Sequence, residues 1–154
     1  MTLQQESRTW TIRDLMKSAI DHLQRFGFDE ARLNVELLLS YALHCQRIQL
    51  YTHFDKPIDQ EELQTFRGLF ERRLRHEPVQ YIVESAGFMG LQFAVDPRVF
   101  IPRPETETLV EQLLLNCGRE QNPQPVAILE IGTGSGNIAV AAAKFLRHAE
   151  VTTI

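Results

Sequence analysis

The apolar residues of this sequence change their spacing close to residue 78, and that change restricts the fold more than any other feature. Upstream they recur every three or four residues, the period of a helix with one buried face. Downstream the period falls to two and short apolar runs appear, as in strands. The expectation is a helical part followed by a part built on strands.

In the first part, Thr11-Ile12-Arg13-Asp14 has capping-box form, with a hydroxyl and a carboxylate for the first amides of a helix. Ile12, Leu15, Met16, Ala19, Ile20, Leu23 and Phe26 predict one apolar stripe, stopped by Gly27 in a left-handed conformation. Asp29 is expected to cap a second helix with Leu33, Leu37 and Tyr41 as its stripe and Val35, Leu38 and Leu39 as a broader flank. Arg47 to Tyr51 predicts a short third helix. Pro57 breaks the chain, and Asp59 caps a fourth helix carrying Leu63, Phe66, Phe70 and Leu74. Short connections favour an antiparallel bundle, with Trp10 as a staple and Glu77-Pro78 as its end.

In the second part, Gln80 to Glu84 is short and β-prone, and the stretch Phe88 to Val95 alternates before Asp96-Pro97 stops it. With Gly87 and Gly90 as turn or bulge points, a β-hairpin is expected. Ile101 to Glu107 reads as a rigid entry into a helix, because Pro104 sits where a helix tolerates proline and Glu105 and Glu107 complement its N-terminus. Leu109, Val110, Leu113 and Leu114 would be its apolar face. Residues 118–125, polar and with two prolines, read as a loop. Val126 to Ile131 is the run expected of a strand covered on both faces. A glycine-rich turn, an alanine-rich helix to about Arg147 and a second strand, Val151 to Ile154, follow. The domains expected are a helical one at 1–78, a hairpin linker at 79–100, and the opening of an α/β domain at 101–154.

Composition narrows the function classes. With 44% hydrophobic and 23% charged residues the chain is an ordinary globular one. Its net charge of −4 argues against nucleic-acid binding through overall basicity. The first ten residues have no apolar core flanked by basic residues, and the longest wholly apolar run, Ile138 to Ala143, falls far short of the ~20 residues that span a bilayer. A cytoplasmic protein with no membrane segment is expected. Cys45 and Cys117 form neither a zinc cluster nor a disulfide framework and read as buried reduced thiols. His22, His44, His53, His76 and His148 share no ligand spacing, so no metal is assigned.

The chemistry concentrates in Glu130-Ile131-Gly132-Thr133-Gly134-Ser135-Gly136-Asn137. A strand running into alternate glycines that open a helix lets a ligand approach the backbone and meet free amides. A dinucleotide fingerprint would need glycine or alanine at Asn137, and a phosphate-binding P-loop would need Gly-Lys-Ser/Thr. Neither is present. A tight strand-to-helix turn with no ligand is the bland reading of the same residues, and Glu130 could be a plain strand-end carboxylate. The acidic-x-Gly-x-Gly-x-Gly pattern from Glu130 to Gly136 resembles the first motif of Rossmann-like, S-adenosylmethionine-dependent methyltransferases.

A closer resemblance covers nearly the whole chain. Phe88-Met89-Gly90-Leu91, Val95-Asp96-Pro97-Arg98-Val99 and Phe100-Ile101-Pro102-Arg103-Pro104-Glu105-Thr106-Glu107, joined to the glycine loop, resemble the peptide-chain-release-factor glutamine methyltransferases, the HemK/PrmC group. Ala31-Arg32-Leu33 to Leu39, Leu50-Tyr51 to Pro57 and Arg72-Arg73 to Ile82 are similar to its helical front end. The resemblance implies a small helical substrate-recognition domain, a hairpin and a methyltransferase domain. It implies transfer of a methyl group to the amide nitrogen of the glutamine in the Gly-Gly-Gln loop of class I release factors. Gly132, Thr133, Gly134, Ser135 and Gly136 would line S-adenosyl-L-methionine with Glu130 beneath, and Phe100, Arg103 and Thr106 would close over it. Arg103 would face the methionine carboxylate or a nearby acidic residue. A rigid linker and helix start is the bland reading of that proline segment.

Two parts of the family pattern are not in these residues. The sequence contains no Asn-Pro-Pro-Tyr, its one Asn-Pro being Asn122-Pro123, and no acidic residue follows Val151 to Ile154 to hold a ribose. The expectation is an N-terminal portion that is inactive alone. Methylation of another amide or a nucleobase amine, and a fragment that only docks the release factor, are the competing readings. Arg67, Arg72, Arg73 and Arg75 could touch a release factor's surroundings or form a solvated helix face. No sequence-specific contact to nucleic acid is expected.

Overall fold

The computed structural model describes residues 9–117 and 126–154. The loop expected at 118–125 and residues 1–8 lie outside the described residues. The chain divides into two compact units, Met1–Val83 and Glu84–Ile154.

The first unit is helical. Helix α1 (Ile12–Arg25) starts at Thr11, whose hydroxyl accepts the Asp14 amide at 3.2 Å. The residues entering it pair with those entering a later helix: Ile12 N–H donates to the Lys56 carbonyl and Ile58 N–H to the Trp10 carbonyl. That pairing, with Trp10 packed on the core, makes the staple. Helices α2 (Ala31–Ala42), α3 (Arg47–Thr52), α4 (Gln60–Leu74) and α5 (Val79–Ile82) follow. Asp59 and Glu62 form a reciprocal capping box at the start of α4.

Helix α2 is the centre of this unit and touches α1, α3, α4 and α5. Surrounded so, it buries Val35, Leu38 and Leu39 completely, whereas the stripe expected at Leu33, Leu37 and Tyr41 is the less buried side. A stripe rule assumes one covered face, and α2 has several neighbours. Leu23, Leu50, Leu63, Phe66 and Ile82 complete the core around it.

Three local expectations need correction. Phe26 is 64% exposed, because the chain leaves α1 at Phe26 and turns through Gly27 at φ +73°. Asp29 does not cap α2. The N-cap is Glu30 at φ +49°, with no side-chain cap, and Asn34 instead donates its amide to the Asp29 and Glu30 carbonyls at 3.2 and 2.9 Å. The β-prone stretch Gln80 to Glu84 begins as helix α5, since Pro78 presets the first turn and Val79 and Ile82 bury themselves one turn apart.

In the second unit β1 (Ser85–Phe88) and β2 (Leu91–Ala94) form an antiparallel hairpin in the register Phe88↔Leu91. Its two-residue turn, Met89-Gly90, has positive φ at both positions. Gly87 is an ordinary strand residue, paired with Gln92. Helix α6 (Pro104–Cys117) buries Val110 but leaves Leu109 59% exposed. Strands β3 (Val126–Glu130) and β4 (Ala149–Thr153) run parallel, joined by α7 (Asn137–Phe145), and α6 lies against α7.

Strand β3 is covered on one face only among the described residues. Ala127, Leu129 and Ile131 are exposed, alternating with half-buried Val126, Ile128 and Glu130. An uninterrupted apolar run states what a strand can bury and not what lies over it. Cys45 and Cys117 are half-buried and unbonded. No helix among the described residues is long and apolar enough to cross a membrane.

Candidate functional site

The parallel ladder carries β3 straight to the glycine loop. Ile154 N–H donates to the Glu130 carbonyl at 3.0 Å and Gly132 N–H to the Ile154 carbonyl at 2.7 Å. The chain then turns sharply. Gly134 and Gly136 lie at φ +57° and +76°, a region that costs a residue with a side chain about 1–2 kcal/mol. Gly136 N–H closes the turn on the Thr133 carbonyl at 2.8 Å, and Val140 N–H donates back to the Gly136 carbonyl at 2.9 Å to start α7.

That turn leaves the amides of Thr133, Gly134 and Ser135 without an acceptor among the described residues. The space beside them is open: a Cβ on Gly132 would meet nothing within 4 Å, and one on Gly134 only the Gly132 carbonyl at 4.0 Å. Glu130 ends β3 directly below, and its Oε2 is buried with no hydrogen-bond partner. A buried oxygen left so is costly unless a donor arrives. Free donors, an unmet acceptor and room at the carboxyl end of a parallel strand fit a ligand that carries both a carboxylate and hydroxyl or ammonium groups. S-adenosylmethionine is such a ligand.

The structure refines two of the loop residues. The Ser135 hydroxyl donates to Asn137 Oδ1 at 3.0 Å, so Ser135 offers a ligand its amide more than its side chain. Asn137 is only 9% exposed. Reading the position only as the wrong residue for a dinucleotide missed this role in bracing the loop, and the Ser-x-Asn spacing was the available signal.

Phe100, Arg103 and Thr106 lie at the head of α6, whereas Glu130 to Gly136 lie at the head of α7. Phe100 is 63% exposed, with the Arg103 guanidinium 5.2 Å from its ring centre, and Thr106 N–H donates to the Arg103 carbonyl at 3.0 Å. Arg103 pairs with no acidic residue among the described residues; its partner is the ring. No hydrogen bond or ring contact joins this segment to the glycine loop among the described residues. Glu107, one residue on, holds the hairpin: its Oε1 accepts the Met89 amide at 2.6 Å. Nothing in the sequence pattern pointed to that bond.

The four arginines of α4 and its end do not form one solvated face. Arg72 makes a two-point pair with Glu77 at 2.8 and 2.6 Å. Arg73 donates to Asn34 Oδ1 at 2.7 Å and lies 4.5 Å over the Phe28 ring, and burial pulls its pKa down. Arg67 and Arg75 are the exposed pair.

Comparison with known proteins bears on the same residues. Residues 14–83 match the family model of the PrmC N-terminal domain. A release factor glutamine methyltransferase of Geobacter sulfurreducens is 47% identical over 145 residues, which are 94% of this chain and 49% of that protein. The chain is similar to PrmC proteins over nearly all of its length. Proteins of the same name from Chlorobaculum tepidum, 43% identical over 150 residues, and Rhodopirellula baltica, 41% identical over 146, match 96% and 94% of this chain. The chain spans about half the length of the curated relatives it matches, 51% and 49% in these two. The alignment with the PrmC relatives thus extends well past the domain matched at residues 14–83.

Proposed function

We propose that this protein transfers a methyl group from S-adenosyl-L-methionine to the side-chain amide nitrogen of the glutamine in the Gly-Gly-Gln loop of class I release factors, in the cytoplasm. The observation that carries the reading is identity of 47% to a release factor glutamine methyltransferase across 94% of the chain, glycine loop included. The helical residues 1–78 would recognise the release factor, residues 79–100 would link, and residues 101–154 would open a Rossmann-like methyltransferase domain.

The loop chemistry agrees with this. Bound S-adenosylmethionine supplies a methyl group made electrophilic by its sulfonium. The Thr133, Gly134 and Ser135 amides are suited to its carboxylate, and the unpaired Glu130 oxygen to an ammonium or hydroxyl. Gly132 and Gly136 keep the backbone close. Arg103, turned from Phe100, would meet the carboxylate as a cationic donor beside these neutral amides.

An amide nitrogen is a weak nucleophile because its lone pair is conjugated with the carbonyl. As the N–CH3 bond forms and the S–CH3 bond breaks, the nitrogen must shed one proton. Positioning and acceptors for the developing charge would supply the rate. The residues of this chain hold the cofactor side; the acceptor side is assigned by resemblance to an Asn-Pro-Pro-Tyr motif, which these 154 residues do not contain.

A chimera tests the reading. These residues replace the aligned half of the Geobacter sulfurreducens relative, and the product is incubated with S-adenosylmethionine and a class I release factor. Mass spectrometry should find one added methyl on the Gly-Gly-Gln peptide. A folded, cofactor-binding chimera that leaves this glutamine unmodified would overturn the reading.

A further inference from the structure

The helical unit contains a charged cluster that the transfer reaction does not use. Helices α2 and α3 each present a pair of residues four apart, Arg32 with Glu36 and Arg47 with Tyr51, so one turn of each helix faces the other. Glu36 is the hub. Its Oε1 accepts from Arg32 Nε at 3.0 Å and from the Tyr51 hydroxyl, and its Oε2 accepts from Arg47 Nε at 3.2 Å and from Arg47 Nη2. Tyr51 in turn accepts from Arg32 Nη2 at 2.9 Å.

Exposure is divided unequally in this cluster. The Glu36 side chain is 4% exposed, whereas those of Arg32 and Arg47 are 68% and 50% exposed. Burial alone would push the Glu36 carboxyl up, but the hydrogen bonds from Tyr51, Arg47 and Arg32 outweigh it and hold the carboxylate below its ordinary pKa. Glu36 therefore stays charged and fixes two guanidiniums side by side at the surface. The Nη1 group of each arginine donates to nothing among the described residues.

A well-packed apolar contact would join α2 to α3 at lower desolvation cost than a buried carboxylate. What the carboxylate adds is orientation of cations that remain outside. Two cations share one anion, which leaves a single surplus positive charge. The neighbouring cations are satisfied already, Arg13 by Asp55 at 2.8 Å and Lys56 by Glu62 at 3.1 Å.

We propose that Arg32 and Arg47 form a docking site for one carboxylate, an Asp or Glu side chain presented by a protein partner. The inference goes beyond the proposed function, since it requires neither cofactor nor transfer. The outer edge of each guanidinium, its Nη1 group with the second Nη2 hydrogen, matches a carboxylate in two-point geometry while the Nε edge stays on Glu36 and Tyr51. One surplus charge suits one carboxylate and not a run of phosphates. RNA is disfavoured further because the adjoining rings carry guanidiniums already, Arg32 at 5.5 Å over Tyr51 and Arg13 at 5.7 Å over Phe54, so they do not offer bare platforms for bases.

The test uses the nitrogen-15-labelled 154-residue chain and follows the arginine Nε–H resonances. Acetyl-Gly-Glu-Gly-amide, its Gln counterpart and an oligouridine are titrated separately. The glutamate peptide should shift the Arg32 and Arg47 signals saturably, while the glutamine peptide and the RNA leave them in place. Arg47→Lys keeps the charge that Glu36 needs and removes the fork, so it should weaken glutamate-peptide binding about tenfold with an otherwise native spectrum. Equal shifts with both peptides, no shift with either, tighter binding of the RNA at these arginines, or unchanged binding by a natively folded Arg47→Lys would each overturn the proposal. If that variant does not fold, the three titrations of the unsubstituted chain decide the matter alone.

Discussion

Glu107 of α6 reaches the turn of the β1–β2 hairpin, where its Oε1 lies 2.6 Å from the amide nitrogen of Met89. In a two-residue turn with positive φ at both positions this amide points away from the hairpin and needs an outside acceptor. Glu107→Ala should leave it unmet and destabilise the second unit by about 1–3 kcal/mol. Hydrogen exchange of the Met89 amide should accelerate by the corresponding factor. Unchanged exchange would mean that the carboxylate does not hold the turn.

Met89 sits at φ +51°, a conformation that Asn or Gly adopts more readily, beside Gly90 at φ +72°. Met89→Asn should therefore stabilise the unit by about 0.5–1 kcal/mol in urea unfolding. A loss of stability would show that packing of the half-buried methionine side chain outweighs the backbone strain.

Asn34 is 5% exposed and uses both ends of its amide, donating to the Asp29 and Glu30 carbonyls and accepting from Arg73 Nε at 2.7 Å. Asn34→Leu removes these bonds and leaves the Nε of a partly buried guanidinium unmet, its Nη1 keeping the Glu77 carbonyl at 3.1 Å. A cost of about 2–4 kcal/mol is expected, read as a fall in the urea midpoint. Asn34→Asp should restore part of it, because Arg73 regains an acceptor.

These bonds indicate how far a sequence can be read. The positions of α1, α3 and α4 follow from Thr11, Asp59 and the three- and four-residue spacing, because caps and stripes are local. The hairpin and the glycine loop follow from Gly90 and from Gly132 to Gly136 for the same reason. What escapes is set by neighbours distant in sequence. Asn34, not Asp29, serves the start of α2 because Arg73 comes to meet it from α4. Arg72 and Arg73 look like parts of a basic surface until Glu77 and Phe28 are seen to engage them. The buried side of α2 and the bare side of β3 depend on how many elements surround each, and apolar spacing carries no such count.

Asp96 gives a pH signature. Its carboxylate accepts the side chain and the amide of Arg98, and the side-chain bonds above all bring its pKa down to about 2. A carboxyl whose folded pKa is depressed stabilises the folded state above its unfolded pKa of about 3.9. That contribution declines as pH falls from about 4 through about 2. The carboxyl carbon-13 shift of Asp96 should titrate near 2 in the chain as it stands and higher in Arg98→Ala, which loses the side-chain bonds and keeps the amide bond. Titration near 3.9 in both would show that the pair is absent in solution.

The most direct test of the account is whether the Gly132–Gly136 turn is where S-adenosylmethionine binds. Calorimetric titration of the chimera with S-adenosylmethionine and with NAD, repeated on Gly134→Val, measures this. The account predicts binding of S-adenosylmethionine and not of NAD, weakened at least about tenfold in Gly134→Val, since valine cannot hold φ +57° without strain. Equal affinity in the natively folded variant, or preference for NAD, would contradict it.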